Sequence, residues 1–141
     1  WILNKINNEK KYNFKNLTTN ILIPTSVVIV SSYYFFGKKL IEIIAGNEFA
    51  NSYTPMLILL IGYISYYLTF WTRHFLFLNN LILKHTKGRI INLGIFITTS
   101  PLLISNYGFN GIAIAISFSI LVQKIYELSV YFKNKNIENN I

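Results

Sequence analysis

IINLGIFITTSPLLISNYGFNGIAIAISFSILVQ, residues 90–123, is a run of 34 residues without a charged side chain. A helix rises about 1.5 Å per residue, so a single helix through it would be about 50 Å long, against a hydrocarbon core of about 30 Å. Its middle reads Asn106-Tyr107-Gly108-Phe109-Asn110-Gly111, a concentration of turn-forming Asn and Gly. The run is therefore expected to split into two helices, Ile90–Ser105 and Phe109–Phe132, joined by a tight hairpin. Strands are not a competing reading. The alternation of period two is absent, and hydrocarbon does not tolerate open sheet edges.

Working outward, two more charge-free windows appear, Asn16–Gly37 with 22 residues and Phe49–Thr72 with 24. Each suits one crossing, predicting spans Leu17–Phe36 and Tyr53–Phe77. The expected fold is an all-α integral membrane protein with four transmembrane helices in residues 17–132. A cytoplasmic segment (1–16) precedes them and a polar cytoplasmic tail (133–141) follows. Between the first two spans, Lys38–Gly46 places Leu40, Ile41, Ile43 and Ile44 on an apolar face. It is too short to span and reads as an interfacial amphipathic helix. The chain starts at Trp1 rather than Met, as expected of a fragment or a processed start. Basic residues before an apolar run loosely resemble a signal peptide. No small-residue cleavage site follows, so the run reads as a retained span.

Composition agrees with this class. Apolar residues make up 52% of the 141 and charged residues 13%, about half the usual share of a soluble domain. The net charge of +8 could suggest nucleic acid, but the basic residues sit in short clusters between long uncharged stretches. That fits flanks facing an anionic leaflet. Lys5, Lys10, Lys11 and Lys15 precede the first span. Lys84, Lys87 and Arg89 lie between the second and third, and Lys133 and Lys135 follow the fourth. These nine fall on one side and Lys38 and Lys39 on the other, which places the N-terminus, the second loop and the tail in the cytoplasm.

Catalytic chemistry finds no foothold. The chain has neither Asp nor Cys, its two histidines are His74 and His85, and no acidic cluster is present. Thiol catalysis and a Ser/His/Asp set are excluded, and no protein-only metal cage, cofactor or enzymatic activity is expected. Thr86-Lys87-Gly88 lacks the glycines of a P-loop.

Within the predicted spans, the ionisable residues are Arg73, His74, Lys124 and Glu127. Intramembrane charges usually face a protein interior or a water-filled cavity. The alternative for all four is snorkelling to the cytoplasmic headgroups. Lys124 and Glu127 lie one turn apart and can pair. Pro24, followed by Thr25 and Ser26, and Pro101, preceded by Thr98, Thr99 and Ser100, are kink or hinge positions whose neighbouring hydroxyls can satisfy freed carbonyls. Gly111, Ala115 and Ser119 form a small-residue ridge for close helix packing, with Ala113 and Ser117 as a second row.

The features also come in a familiar order. Ile-Leu-Ile-Pro-Thr-Ser (21–26) is followed by Phe-Gly-Lys-Lys-Leu-Ile-Glu-Ile-Ile-Ala-Gly-Asn-Glu-Phe (36–49) and Ser-Tyr-Thr-Pro-Met-Leu-Ile-Leu-Leu (52–60). The basic Lys84–Arg89 stretch and Asn-Tyr-Gly-Phe-Asn-Gly-Ile-Ala-Ile-Ala (106–115) come next. Together they resemble the C-terminal part of a bacterial polysaccharide or O-antigen flippase of the MOP (multidrug/oligosaccharidyl-lipid/polysaccharide) superfamily. The resemblance implies the end of a C-terminal lobe, partnered by a missing N-terminal lobe, in the bacterial inner membrane. It also implies an oligosaccharide substrate on a polyprenyl diphosphate and a cationic cavity, with alternating access driven by ion gradients or substrate binding. Arg73 and Lys124 are then the candidate cations for the diphosphate, with Glu127 and His74 supporting them. Two alternatives stand beside it. One is a drug or metabolite exporter of the same superfamily. The other is a small membrane subunit or part of a glycan polymerase or acyltransferase.

Overall fold

The computed structural model describes residues 18–138, with side chains described from Asn20 to Asn134. The segment 1–16, expected in the cytoplasm, and the last residues of the tail lie outside the described residues. Five α-helices follow one another: α1 (Ile23–Ala45), α2 (Tyr53–Leu68), α3 (Phe70–Leu78), α4 (Ile82–Tyr107) and α5 (Phe109–Glu138). A π-helical turn, Thr18–Leu22, leads into α1, and a 3-10 turn, Asn47–Ser52, leads into α2. Taking α2 and α3 as one crossing, the described residues contain four helical stretches long and apolar enough to span a membrane.

The distribution of side chains identifies the solvent. Val28, Phe35, Ile43, Ile44 and Leu102 are 63–81% exposed, whereas Ser26, Thr72, Ser119, Gln123, Lys124 and Glu127 are buried. Water would drive the opposite arrangement. In lipid, apolar side chains gain nothing by turning inward, and helices associate through small residues and interhelical hydrogen bonds. The chain is a multi-pass membrane protein.

α5 is the central helix. Its main contacts are with α4 on one side and α2 on the other, while α1 packs against α2 and the 3-10 turn. The expected ridge explains the α5–α4 contact. Gly111, Ala115 and Ser119 are all buried. A Cβ on Gly111 would collide with the Leu103 carbonyl of α4. The second row faces α2. A Cβ on Gly62 would stand 2.7 Å from Ser117 Oγ and 2.8 Å from its Cα, and the Ser117 hydroxyl donates to the Ile58 carbonyl at 2.8 Å. At the outer edge, Tyr33 of α1 stacks on Tyr53 with centroids 5.5 Å apart, and the Tyr53 hydroxyl donates to the Tyr34 carbonyl.

The hairpin between α4 and α5 turns at Gly108, whose φ of +56° and ψ of −130° suit a residue without Cβ. The α3–α4 connection is a Schellman turn. Asn80 has a φ of +55°, its N–H donates to the Phe77 carbonyl at 3.2 Å, and the Leu81 N–H donates to Leu76 at 2.8 Å.

Two expected boundaries are corrected. Lys38–Gly46 is not a separate interfacial helix, because α1 continues through it to Ala45. A lone glycine, Gly37, costs a helix only about 1 kcal/mol and does not end it. The helix stops at Gly46, where φ is +99°. Lys84–Arg89 is not a loop but the opening of α4, since the Schellman turn has already reversed the chain. The second expected span, Tyr53–Phe77, lies within the membrane-length stretch Asn47–Leu78 and is interrupted at Thr69, where ψ is +15°. There the hydroxyl of Thr69 bonds the Ser65 carbonyl at 2.7 Å, beside the backbone N–H that bonds it at 3.3 Å.

Candidate functional site

Glu127 is 0% exposed, on the face of α5 that meets α3 and α4. Three N–H donors converge on its carboxylate. Lys124, three residues earlier on the same face, brings its ammonium to 2.7 Å from Oε2. Gln123, a full turn earlier, donates from Nε2 to Oε1 at 2.8 Å. His85, from the opening turn of α4, places Nδ1 3.0 Å from Oε1. With the carboxylate ionised, a neutral His85 must be the Nδ1–H tautomer, because an unprotonated nitrogen would set lone pair against lone pair. A fourth group, the Thr72 hydroxyl, lies 3.3 Å from Oε2 but only 2.7 Å from the Thr69 carbonyl. A hydroxyl has one proton, and the shorter bond at the helix break holds it.

Lys124 is 2% exposed and its ammonium sits 4.0 Å from the centre of the Tyr66 ring of α2. Cation–π attraction of this kind grows as the pair is desolvated. α2, α3, α4 and α5 thus all contribute to one buried polar cluster. Within it the Lys124 ammonium and the Glu127 carboxylate balance one another. Gln123 extends the cluster by accepting from Asn92 Nδ2 at 2.9 Å. Gly88 of α4 makes room for it. A Cβ there would stand 3.3 Å from the Tyr126 ring and 3.7 Å from Glu127 Cγ.

The cluster lies toward the end of the bundle where Lys84, Lys87, Arg89 and Lys133 gather. Glu127 is 18 residues along α5 from the hairpin, or about 27 Å at 1.5 Å per residue. That places it at the margin of the hydrocarbon, on the side read as cytoplasmic from the charge distribution.

Of the residues singled out from the sequence, the structure joins Lys124 and Glu127 and leaves the others apart. Arg73 is half-buried with its guanidinium over the Phe77 ring at 5.5 Å, and among the described residues no carboxylate pairs with it. His74 is exposed and meets Phe70 edge-on at 4.7 Å. His85, not His74, serves the acid. Pro24 lies in the first turn of α1, where its missing N–H interrupts little. Next to it, Thr25 bonds the Ile21 carbonyl at 2.6 Å and Ser26 the Leu22 carbonyl at 2.8 Å. Pro101 sits inside α4 on an exposed face, and the Thr98 and Thr99 hydroxyls both reach the Ile95 carbonyl in the turn before it.

Sequence reasoning passed over His85, Gln123, Thr72, Tyr66 and Gly62. A usable signal existed for Gln123. It shares a stripe with Lys124 and Glu127 in an otherwise apolar helix, and polar groups inside spans are functional candidates by default. His85 was hidden among lysines that read as a loop. Among the described residues, no group of three or more His, Asp or Glu side chains could hold a metal ion. No family model, curated protein or solved structure matches the chain.

Proposed function

We propose that this chain is part of a transporter of the bacterial cytoplasmic membrane that moves a lipid-linked oligosaccharide, carried on a polyprenyl diphosphate, from one leaflet to the other. The observation that carries the reading is the fully buried Glu127–Lys124 pair inside membrane-spanning helices. Ionisable groups within membrane-spanning helices are rare, and when they turn inward from lipid they mark functional sites by default. The substrate class rests on the order of motifs that resembles polysaccharide flippases.

In this reading the two intramembrane cations have different duties. Arg73 has five N–H donors and no carboxylate partner among the described residues, so it is the group ready to meet a diphosphate through its planar fork. Lys124 is held in reserve by Glu127. Removing the gene should deplete surface glycan and trap the lipid-linked oligosaccharide on the cytoplasmic leaflet. Restoring the gene with Arg73→Ala or Arg73→Lys should return less surface glycan at equal protein level. Normal surface glycan after deletion refutes the proposal. The same buried acid would also suit a drug or metabolite exporter, and drug sensitivity without a glycan defect would favour that reading.

A further inference from the structure

One carboxylate can neutralise one cation, yet two cation-forming groups share Glu127. Lys124 holds Oε2 at 2.7 Å and His85 holds Oε1 at 3.0 Å. The titratable groups that meet here are Glu127 and Lys124 of α5, His85 of α4, and the phenols Tyr66 of α2 and Tyr126 of α5. α3 brings the Thr72 hydroxyl and the Phe77 ring, whose centroid lies 5.7 Å from the imidazole and 5.5 Å from the Arg73 guanidinium. While His85 is neutral the cluster carries no net charge. A proton on His85 Nε2 makes it +1, buried at the margin of the hydrocarbon, and among the described residues no second acid pairs with it.

We propose that His85, Glu127 and Lys124 form an ion-pair exchange site that takes up a proton and an anion together, in which protonation of His85 transfers the Glu127 carboxylate to the imidazolium and releases Lys124 to a phosphate-ester anion. Excess positive charge in a low-dielectric site is tolerated only if an anion accompanies it. Lys124 is the cation that can move. Its four-carbon stem is flexible and its ammonium is a compact point charge, whereas the His85 ring is held by its short side chain. The Lys124 ammonium leaves Glu127 Oε2 and takes a phosphate oxygen, the proton stays on His85 Nε2, and no covalent bond is made or broken. Linkage makes the coupling reciprocal: bound anion favours the proton on His85, and the proton favours the anion. The inference rests on the proposed function, in that it takes the anion to be a diphosphate carrier.

The test uses the full chain in neutral-lipid nanodiscs, with didecyl diphosphate as the probe. Both its phosphates are esterified, so its own charge does not change between pH 5.5 and 8.5. Binding should weaken as pH rises, by about tenfold per pH unit where one proton is taken up. An indicator dye in weak buffer should report about one proton absorbed per ligand bound over that window. His85→Gln keeps an N–H donor for Glu127 and should flatten the pH dependence. Binding by the parent without proton uptake overturns the proposal, as does an unchanged pH slope in His85→Gln; the diphosphate reading survives either result. No binding at any pH strikes the diphosphate reading and the exchange site with it. Equal, equally pH-dependent binding of didecyl phosphate leaves the exchange standing and assigns the anion to a phospholipid headgroup.

Discussion

Replacing Glu127 by Gln keeps the shape of the side chain and removes its charge, which isolates what the carboxylate does for the fold. At 2.7 Å and an effective dielectric of about 20, the ammonium and carboxylate attract by about 6 kcal/mol, before desolvation is subtracted. Losing one member of such a pair leaves the other buried and uncompensated, at a cost of about 3–5 kcal/mol. Glu127→Gln should therefore destabilise the bundle by that amount, because Lys124 at 2% exposure is left without its counter-charge. Lys124→Met should cost less, about 2 kcal/mol, since Glu127 keeps Gln123 and His85 as donors. The double variant Glu127→Gln/Lys124→Met removes both charges and should lie within about 1 kcal/mol of the parent. Reversible unfolding of the full chain in mixed micelles supplies the measurement. Trp71 is a suitable fluorescent reporter because it packs on Tyr131 of α5 at 4.6 Å. Single variants within about 0.5 kcal/mol of the parent, or a double variant that is simply additive, would refute the claim that the pair is buried and coupled.

The packing of α5 can be tested at glycines of opposite surroundings. Gly62→Ala, whose Cβ would stand 2.8 Å from the Ser117 backbone, should cost about 1–3 kcal/mol. Gly94→Ala, with open space around it, should be neutral or stabilising by up to about 1 kcal/mol. Ala115→Leu should be destabilising in the same unfolding assay, because Ala115 is fully buried on the ridge that continues from Gly111; parent-like stability would mean that the ridge does not hold the bundle. The topology is open to cysteine labelling, since the chain has no Cys of its own. A Cys at Asn80 or Asn136 should resist an impermeant maleimide added to intact cells, and external labelling at either would overturn the orientation read from the basic flanks.

The helices themselves were legible from residues 16–132 because the requirement for a span is local: about 20 apolar residues must follow one another with no unpaired charge. The turn at Gly108 was legible for the same kind of reason, as Asn and Gly are clustered in the middle of a run too long for one crossing. So was the Gly111–Ala115–Ser119 ridge, which rests on spacing along one helix. What the sequence could not announce was that α1 would absorb Lys38–Ala45, that the second span would break at Thr69, or which polar groups would meet. Lys124 and Glu127 are neighbours by spacing alone, but their company depends on how α5 is rotated against α2, α3 and α4. That rotation is set where Gly62 admits Ser117 and Gly111 admits the Leu103 backbone, contacts between residues 8 and 55 positions apart. Only with those helices seated does His85 rather than His74 reach the acid, and only then does Lys124 become a buried, neutralised cation. Hydropathy is a property of each segment and can be read along the chain; the pairing of one buried carboxylate with its donors belongs to the interface between segments, and tertiary packing decided it.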